Sequence, residues 1–331
     1  MSDRRDTGEM SDMGDMGDMG DSNAIAGAGS NAPRWRVWLE FTRPFTLWPP
    51  ALGMVSGGVT AWGAAGLRVS EDPVVLLLNI GLGALMAAVL NGASNGINQI
   101  YDLSVDAINK PHRPLPSKRM SIVEAKWVTA VLYAVAMALA AAVNLQCFSM
   151  AFIAAVLTWA YSAPPFRTKR HAIAANLTIA VPRGLMLKVA GWTTVKSFDT
   201  TEPWYIGSIF FLFLLGAATT KDFADMKGDE AHGCITLPVK YGVKKAAWMI
   251  SPFFIVPFAL IPIGVQRGIL TGNPVLLSVL GAGLALWGCY TVWLLVRRPD
   301  ELAKTENHPS WTHMYLMMMA LQIGFALAYV L

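Results

Sequence analysis

Asn91–Asp106, NGASNGINQIYDLSVD, sets polar side chains at the end of a run, Leu76–Leu90, that is almost entirely apolar. Asn91, Asn95, Asn98, Asp102 and Asp106 follow at steps of four, three, four and four residues, so on a helix all five share a face. A carboxylate beside hydrocarbon is expensive unless it meets a cavity, a cation or a partner, so that face cannot be lipid. Asn98, Asp102 and Asp106 form an oxygen-only ligand set, which hard Mg²⁺ accepts while keeping waters and sharing a phosphate group. The expectation is a metal-diphosphate site. A seam that merely glues helices would more often use Ser, Thr or a single Asn.

Working outward, the 331 residues are 54% hydrophobic and 15% charged, whereas a soluble domain carries roughly a quarter charged residues. Windows of about twenty apolar residues recur, enough to cross a bilayer. Nine membrane helices are predicted, over 45–65, 74–103, 121–142, 147–162, 173–195, 203–222, 246–266, 274–296 and 311–331. Pro49, Pro50, Pro182, Pro252, Pro257 and Pro262 interrupt several of them, which membrane helices tolerate when neighbours satisfy the freed backbone groups. Connections after the even helices hold fifteen Lys and Arg against three after the odd ones, namely Arg68, Lys196 and Arg267. That bias predicts a cytoplasmic N-terminus in a multi-pass protein, in the inner membrane if the cell is bacterial.

Residues 1–33, with the repeat MGDMGDMGD, read as a solvated low-complexity tail, and 34–331 as one membrane domain. The polar, acidic start carries no cleavable signal pattern. Arg34, Trp35, Arg36 and Trp38 suit a membrane surface. Cys147, Cys234 and Cys289 have neither metal nor redox spacing, which argues against a disulfide framework or zinc. The five histidines have no ligand spacing, and no nucleic-acid partner is expected of a chain with a net charge of only +4.

A second acidic set, Asp222, Asp225 and Asp229 in KDFADMKGDEAHGCITLPVKYG, steps by three and four and shares a face if helical. It falls at the same predicted membrane side as the first. Two such triads suit two or three Mg²⁺ ions around one diphosphate, since carboxylates alone would repel it. The basic residues Lys110, Arg113, Lys118 and Arg119 follow the first triad, Lys221 abuts the second, and Arg167 and Lys169 lie in YSAPPFRTKR between them. Arg113, Lys118, Arg167, Lys169 and Lys221 are candidate diphosphate contacts. Tyr161 or Ser162 is suited to touch phosphate or a developing cation. Arg183 and Lys188 sit in an apolar run where charge is costly, so both are expected to face a cavity, with snorkelling open to Lys188.

NQIYDLSVD with RPLPS, YSAPP followed by Arg and Lys, and KDFAD…GD…TLPVKYG together resemble the UbiA-type intramembrane prenyltransferases over about 35–330. The resemblance implies an all-α bundle around a central cavity, an isoprenyl diphosphate held through Mg²⁺, and transfer of the prenyl chain to a hydrophobic acceptor in membrane lipid. It maps the first motif to Asn98, Asp102 and Asp106, and the second to Asp225 and Asp229 with Asp222 beside them. VDAINKPHRPLPS and YSAPP look like the branch of chlorophyll, digeranylgeranylglyceryl phosphate and homogentisate enzymes. Lys221, where the tetrapyrrole enzymes usually carry a neutral residue, leaves the acceptor open.

The chemistry expected is metal-assisted departure of diphosphate to give an allylic cation. A dry cavity of apolar and aromatic side chains is expected around it, with Phe45, Trp48, Trp192, Phe211 and Trp287 as the candidates from which its aromatic lining could be drawn. A transporter is the rival class, because intramembrane acids also mark ion pathways. Its polar residues should lie at broken helices near midplane, whereas these acids fall at helix ends on one side.

Overall fold

The computed structural model describes residues 33–67, 72–231, 233–304 and 308–331, with the side chains of 108, 109 and 227 excepted. The expected tail, Pro33 aside, and the loop cation Arg68 therefore lie outside the described residues.

The chain folds as α1 (Arg34–Thr42), α2 (Trp48–Ala64), α3 (Pro73–Tyr101), α4 (Leu103–Asn109), α5 (Ile122–Val143) and α6 (Leu145–Ser162). Then follow α7 (Ala172–Thr193), α8 (Thr201–Ala217), α9 (Thr219–Ala231), α10 (Leu237–Tyr241), α11 (Val243–Gln266), α12 (Pro274–Arg297), α13 (Pro299–Leu302) and α14 (Pro309–Val330). Among the described residues, eight spans are long and apolar enough to cross a bilayer: α3, α5, α6, α7, α8 running into α9 as far as Met226, α11, α12 and α14. The ninth expected span is α2, an apolar helix of 17 residues at the lower limit of what crosses hydrocarbon. It packs between α3, α7 and α14.

The helix starts obey local chemistry. Asp72 accepts from Val74 N at 2.8 Å ahead of Pro73, and Ser121 accepts from Glu124 N at 3.1 Å, so orphan amides at both N-termini are satisfied. The ends of two long helices are less regular than periodicity suggests. Asp102, with φ −105° and ψ 14°, breaks the expected 74–103 helix and starts the separate α4. Within α7, Val181–Met186 opens into a π-turn at Pro182, whose ring removes one backbone donor.

Two buried clusters divide the bundle. One gathers Phe210, Phe213, Phe254, Phe258 and Phe325 from α8, α11 and α14. The other places Met54, Met86, Met150 and Met186 where α2, α3, α6 and α7 converge. The outward faces stay apolar, with Leu286, Leu145 and Trp127 each more than two-thirds exposed, as hydrocarbon rather than water requires. α1 lies across the end of the bundle where α4 emerges. Its Glu40 accepts from Arg119 at 2.6 Å, its Arg34 pairs with Glu124, and Trp38 Nε1 donates to Glu124 at 2.7 Å. The hydrogen bond it donates to Glu40 holds the Arg119 guanidinium above its ordinary range, against a smaller opposing effect of burial.

Candidate active site

The polar ladder of α3 divides its work. Asn91 donates to Thr46 O at 2.9 Å, Asn95 to Thr42 O at 2.9 Å, and Gln99 to Phe41 O at 2.7 Å. These amides clamp the turn between α1 and α2, so Asn91 and Asn95 are not free for a ligand as the shared face suggested. The lower rungs turn to the loop after α6. Asn98 donates to Asp102 Oδ2 at 3.0 Å and to the buried Ser162 hydroxyl at 3.3 Å. Lys169 pairs with Asp102, and Arg167 NH2 lies 3.6 Å from the same carboxylate and 3.1 Å from Tyr101 O. Asp102 has left the helix, which lets one carboxylate meet both cations.

Asp106 faces Arg113, whose NH1 lies 2.8 Å from each carboxylate oxygen. Both side chains are about a tenth exposed, and this pair folds the Lys110–Met120 loop onto α4. Lys118 stands exposed at the far end of that loop with φ 59°.

The second acidic set is helical. Asp222, Asp225 and Asp229 all lie on α9, with Asp222 within electrostatic reach of Asp229, Asp225 and the exposed Lys221. Tyr161, at the end of α6, lies within electrostatic reach of Asp222, Arg183, Asp102 and Asp229 together. One phenol is therefore within electrostatic reach of acids that are more than a hundred residues apart in sequence. The loops confirm the approach: Ile235 N donates to Arg170 O at 3.2 Å, and His171 and Ile235 form a parallel bridge.

Cys234, which spacing alone did not single out, occupies this junction. Burial and then Asp229 push its thiol up, against an opposing effect of Lys169.

Among the described residues, no three of His, Cys, Asp and Glu converge closely enough to hold a metal ion by themselves. The donor chemistry nonetheless fits Mg²⁺, which takes one or two carboxylates, keeps water and completes its shell with phosphate oxygens. Asp102 with Asn98 on one side and the α9 acids on the other supply such oxygens. Lys169 and Arg167 neutralise Asp102.

An apolar cavity opens between α2, α3, α6 and α7, lined by Pro50, Met54, Met86, Leu90, Met150, Met186 and Leu187 with Asn91, Ser94, Thr158 and Arg183. None of the five candidate aromatics is among the lining residues. Phe45 and Trp48 are exposed, Trp192 is buried in the neighbouring cluster, and Trp287 donates to His313 at 2.9 Å. Methionine fills the role instead, its unbranched thioether adapting to an irregular apolar wall. Lys188 does not snorkel. It is buried, donates to Ser56 Oγ at 3.0 Å and Gly53 O at 3.3 Å, and sits 4.2 Å over the Phe210 ring.

The model of the UbiA prenyltransferase family matches residues 42–328. The chain belongs to that family. Within it, the chain is 34% identical over 230 residues to a probable homogentisate phytyltransferase 2 of Oryza sativa, an alignment spanning 65% of this chain and 58% of the rice protein. It is 30% identical over 251 residues to digeranylgeranylglyceryl phosphate synthase of Methanopyrus kandleri, over 76% of this chain and 86% of that one. The chain thus spans just over half the length of the plant relatives, and more of the archaeal one. The fold also matches a solved UbiA homolog from Archaeoglobus fulgidus bound to GPP and Mg²⁺. There the TM-score is 0.69 at 20% identity, covering 89% of this chain and 99% of that one. For this UbiA-family chain the comparison supports an all-α, multi-pass membrane bundle, as the sequence predicts.

Proposed function

We propose that this protein transfers a prenyl group from an isoprenyl diphosphate to a hydrophobic acceptor in the membrane, with Mg²⁺ as cofactor. The observation that carries the proposal is the junction of two loops: the segment whose Lys169 pairs with Asp102 of the first motif is bridged, at His171, to Ile235 just after the second motif's helix. Asn98, Asp102, Asp222, Asp225 and Asp229 are the proposed metal ligands, with Asp106 held beside them by Arg113. When bound, Mg²⁺ would neutralise the charge that gathers on the departing diphosphate.

The chain's own residues do the rest. Lys169 and Arg167, already directed at Asp102, bind the diphosphate oxygens, and Lys221 adds charge from α9. The C1–O bond of the ester breaks and its electron pair leaves with the diphosphate. An electron-rich atom of the acceptor then bonds to C1 and gives up its proton. The methionine-lined cavity receives the apolar chain and excludes the water that would otherwise quench the cation. The excess of Lys and Arg in the connections after even helices supports a cytoplasmic N-terminus and puts the acids at the cytoplasmic mouth.

The test uses purified full-length protein with geranylgeranyl diphosphate and Mg²⁺. Asp102→Ala and Asp225→Ala should each lower diphosphate release by roughly a hundredfold or more, as should chelation of the metal. Release that survives both substitutions, or ion flux across vesicles without release, would overturn the reading.

A further inference from the structure

The outer edge of α12 changes chemistry along its length. Val279 and Leu286 are exposed and apolar, and Tyr290, Trp293 and Arg297 continue the same exposed edge at steps of four, three and four to the end of the helix. That end lies on the side of the bundle where the acids emerge, because α13, next in the chain, packs against the start of α11, which follows α9 through the short α10.

The rings on this edge are joined rather than scattered. Trp287 Nε1 donates to His313 Nδ1 of α14 at 2.9 Å, and the His313 ring stands edge-on to Tyr290 at 5.1 Å. Tyr290 stacks on Trp293 at 5.7 Å, and the Arg297 guanidinium lies 4.3 Å over the Trp293 ring. An indole nitrogen can only donate, so Nδ1 of His313 is the acceptor and the imidazole proton is on Nε2. The tier therefore offers four donors: His313 Nε2–H, the Tyr290 hydroxyl, the Trp293 indole N–H and the Arg297 guanidinium. Among the described residues none of these donors has an acceptor, and no carboxylate lies within salt-bridge distance of Arg297, whereas Arg298 beside it pairs with Glu301 at 3.1 Å.

Single aromatic residues at a membrane surface are ordinary. A connected tier of donors closed by an unpaired cation is complementary to a molecule with acceptors at two depths. The helix rises about 10 Å from Tyr290 to Arg297, so the lower donors lie beneath the headgroups, where water does not satisfy them. A diacyl phospholipid carries a charged phosphate at the surface and ester carbonyls below it. The Trp293 face that could attract a choline is already covered by Arg297, so a cationic headgroup would meet like charge. We propose that this edge of α12 and α14 binds one anionic diacyl phospholipid. Its phosphate sits on Arg297, its ester carbonyls on the donors of Trp293, Tyr290 and His313, and an acyl chain along Leu286 and Val279. The proposal is independent of the prenyl-transfer reading.

Native mass spectrometry of the delipidated full-length protein in detergent tests it, with chain-matched phosphatidylglycerol, phosphatidylcholine and the diether form of phosphatidylglycerol titrated in turn. The wild type should hold one phosphatidylglycerol about fivefold or more tightly than phosphatidylcholine, and the diether form more weakly than the diester. Arg297→Gln should cut the preference for the anionic lipid to about twofold or less, while Arg297→Lys should keep part of it and Arg298→Gln all of it. Tyr290→Phe should narrow the gap between diester and diether. These side chains are exposed, so the substitutions leave the fold intact. The proposal is overturned if the anionic and zwitterionic lipids bind alike, if the preference survives Arg297→Gln or falls equally with Arg298→Gln, or if the diether form binds as well as the diester. A dimer that Trp293→Leu abolishes would assign the edge to a second copy of the chain and overturn it as well.

Discussion

Asp106 and Arg113 are both buried, and either one alone would leave a charge where water hardly reaches. Removing one partner of such a pair costs about 3–5 kcal/mol, whereas removing both is far milder. Asp106→Asn and Arg113→Gln are each expected to lower thermal stability by that order. The double variant should recover much of the loss, a coupling that thermal unfolding of the four proteins would measure. Strictly additive losses would mean the pair is not what holds the loop. Asp102 differs at this scale, because its cationic partners, Arg167 and Lys169, come from a loop more than sixty residues away and are the proposed diphosphate contacts. Residue types and spacing were enough to nominate Asn98, Asp102 and the α9 acids. They could not say that Asn91 and Asn95 clamp the α1–α2 turn, because an amide's partner depends on which backbone is brought beside it.

At the scale of elements, hydrophobic runs predicted the helices to within a few residues, since a bilayer admits little else than a helix with all its backbone bonds internal. The interruption at Val181–Met186 was legible in Pro182, whereas the break at Asp102, in a run with no Pro or Gly at that point, was not. Helix approach is decided by small residues. A Cβ on Gly288 of α12 would lie 1.7 Å from Phe254 O of α11, while one on Gly283 of the same helix would meet nothing within 4 Å. Gly288→Ala should therefore push the two helices apart and cost about 1–3 kcal/mol, seen as a fall in melting temperature. Gly283→Ala should leave it unchanged or slightly higher. Equal effects from the two substitutions would rule out close packing as the cause.

For the whole molecule, the proposed function makes the ligand the element that ties the two acidic sets together. Because no three acids among the described residues make a metal site alone, Mg²⁺ by itself should stabilise the protein little. Mg²⁺ with pyrophosphate should stabilise it by about 2.7 kcal/mol at a hundred times the dissociation constant, and Asp102→Ala should abolish that gain. A thermal-shift titration checks this, and a full effect from Mg²⁺ alone would contradict it. The sequence by itself determined the all-α, multi-pass class, the approximate bounds of the long spans, the acid motifs and the family they resemble, because each depends on local periodicity and composition. Only the tertiary structure decided that the loop after α6 is bridged to the segment after α9, that methionine rather than aromatic rings lines the cavity, and that Arg183 faces it while Lys188 is buried. Those outcomes depend on how helices distant in sequence rotate and pack against one another, and no local pattern encodes that rotation.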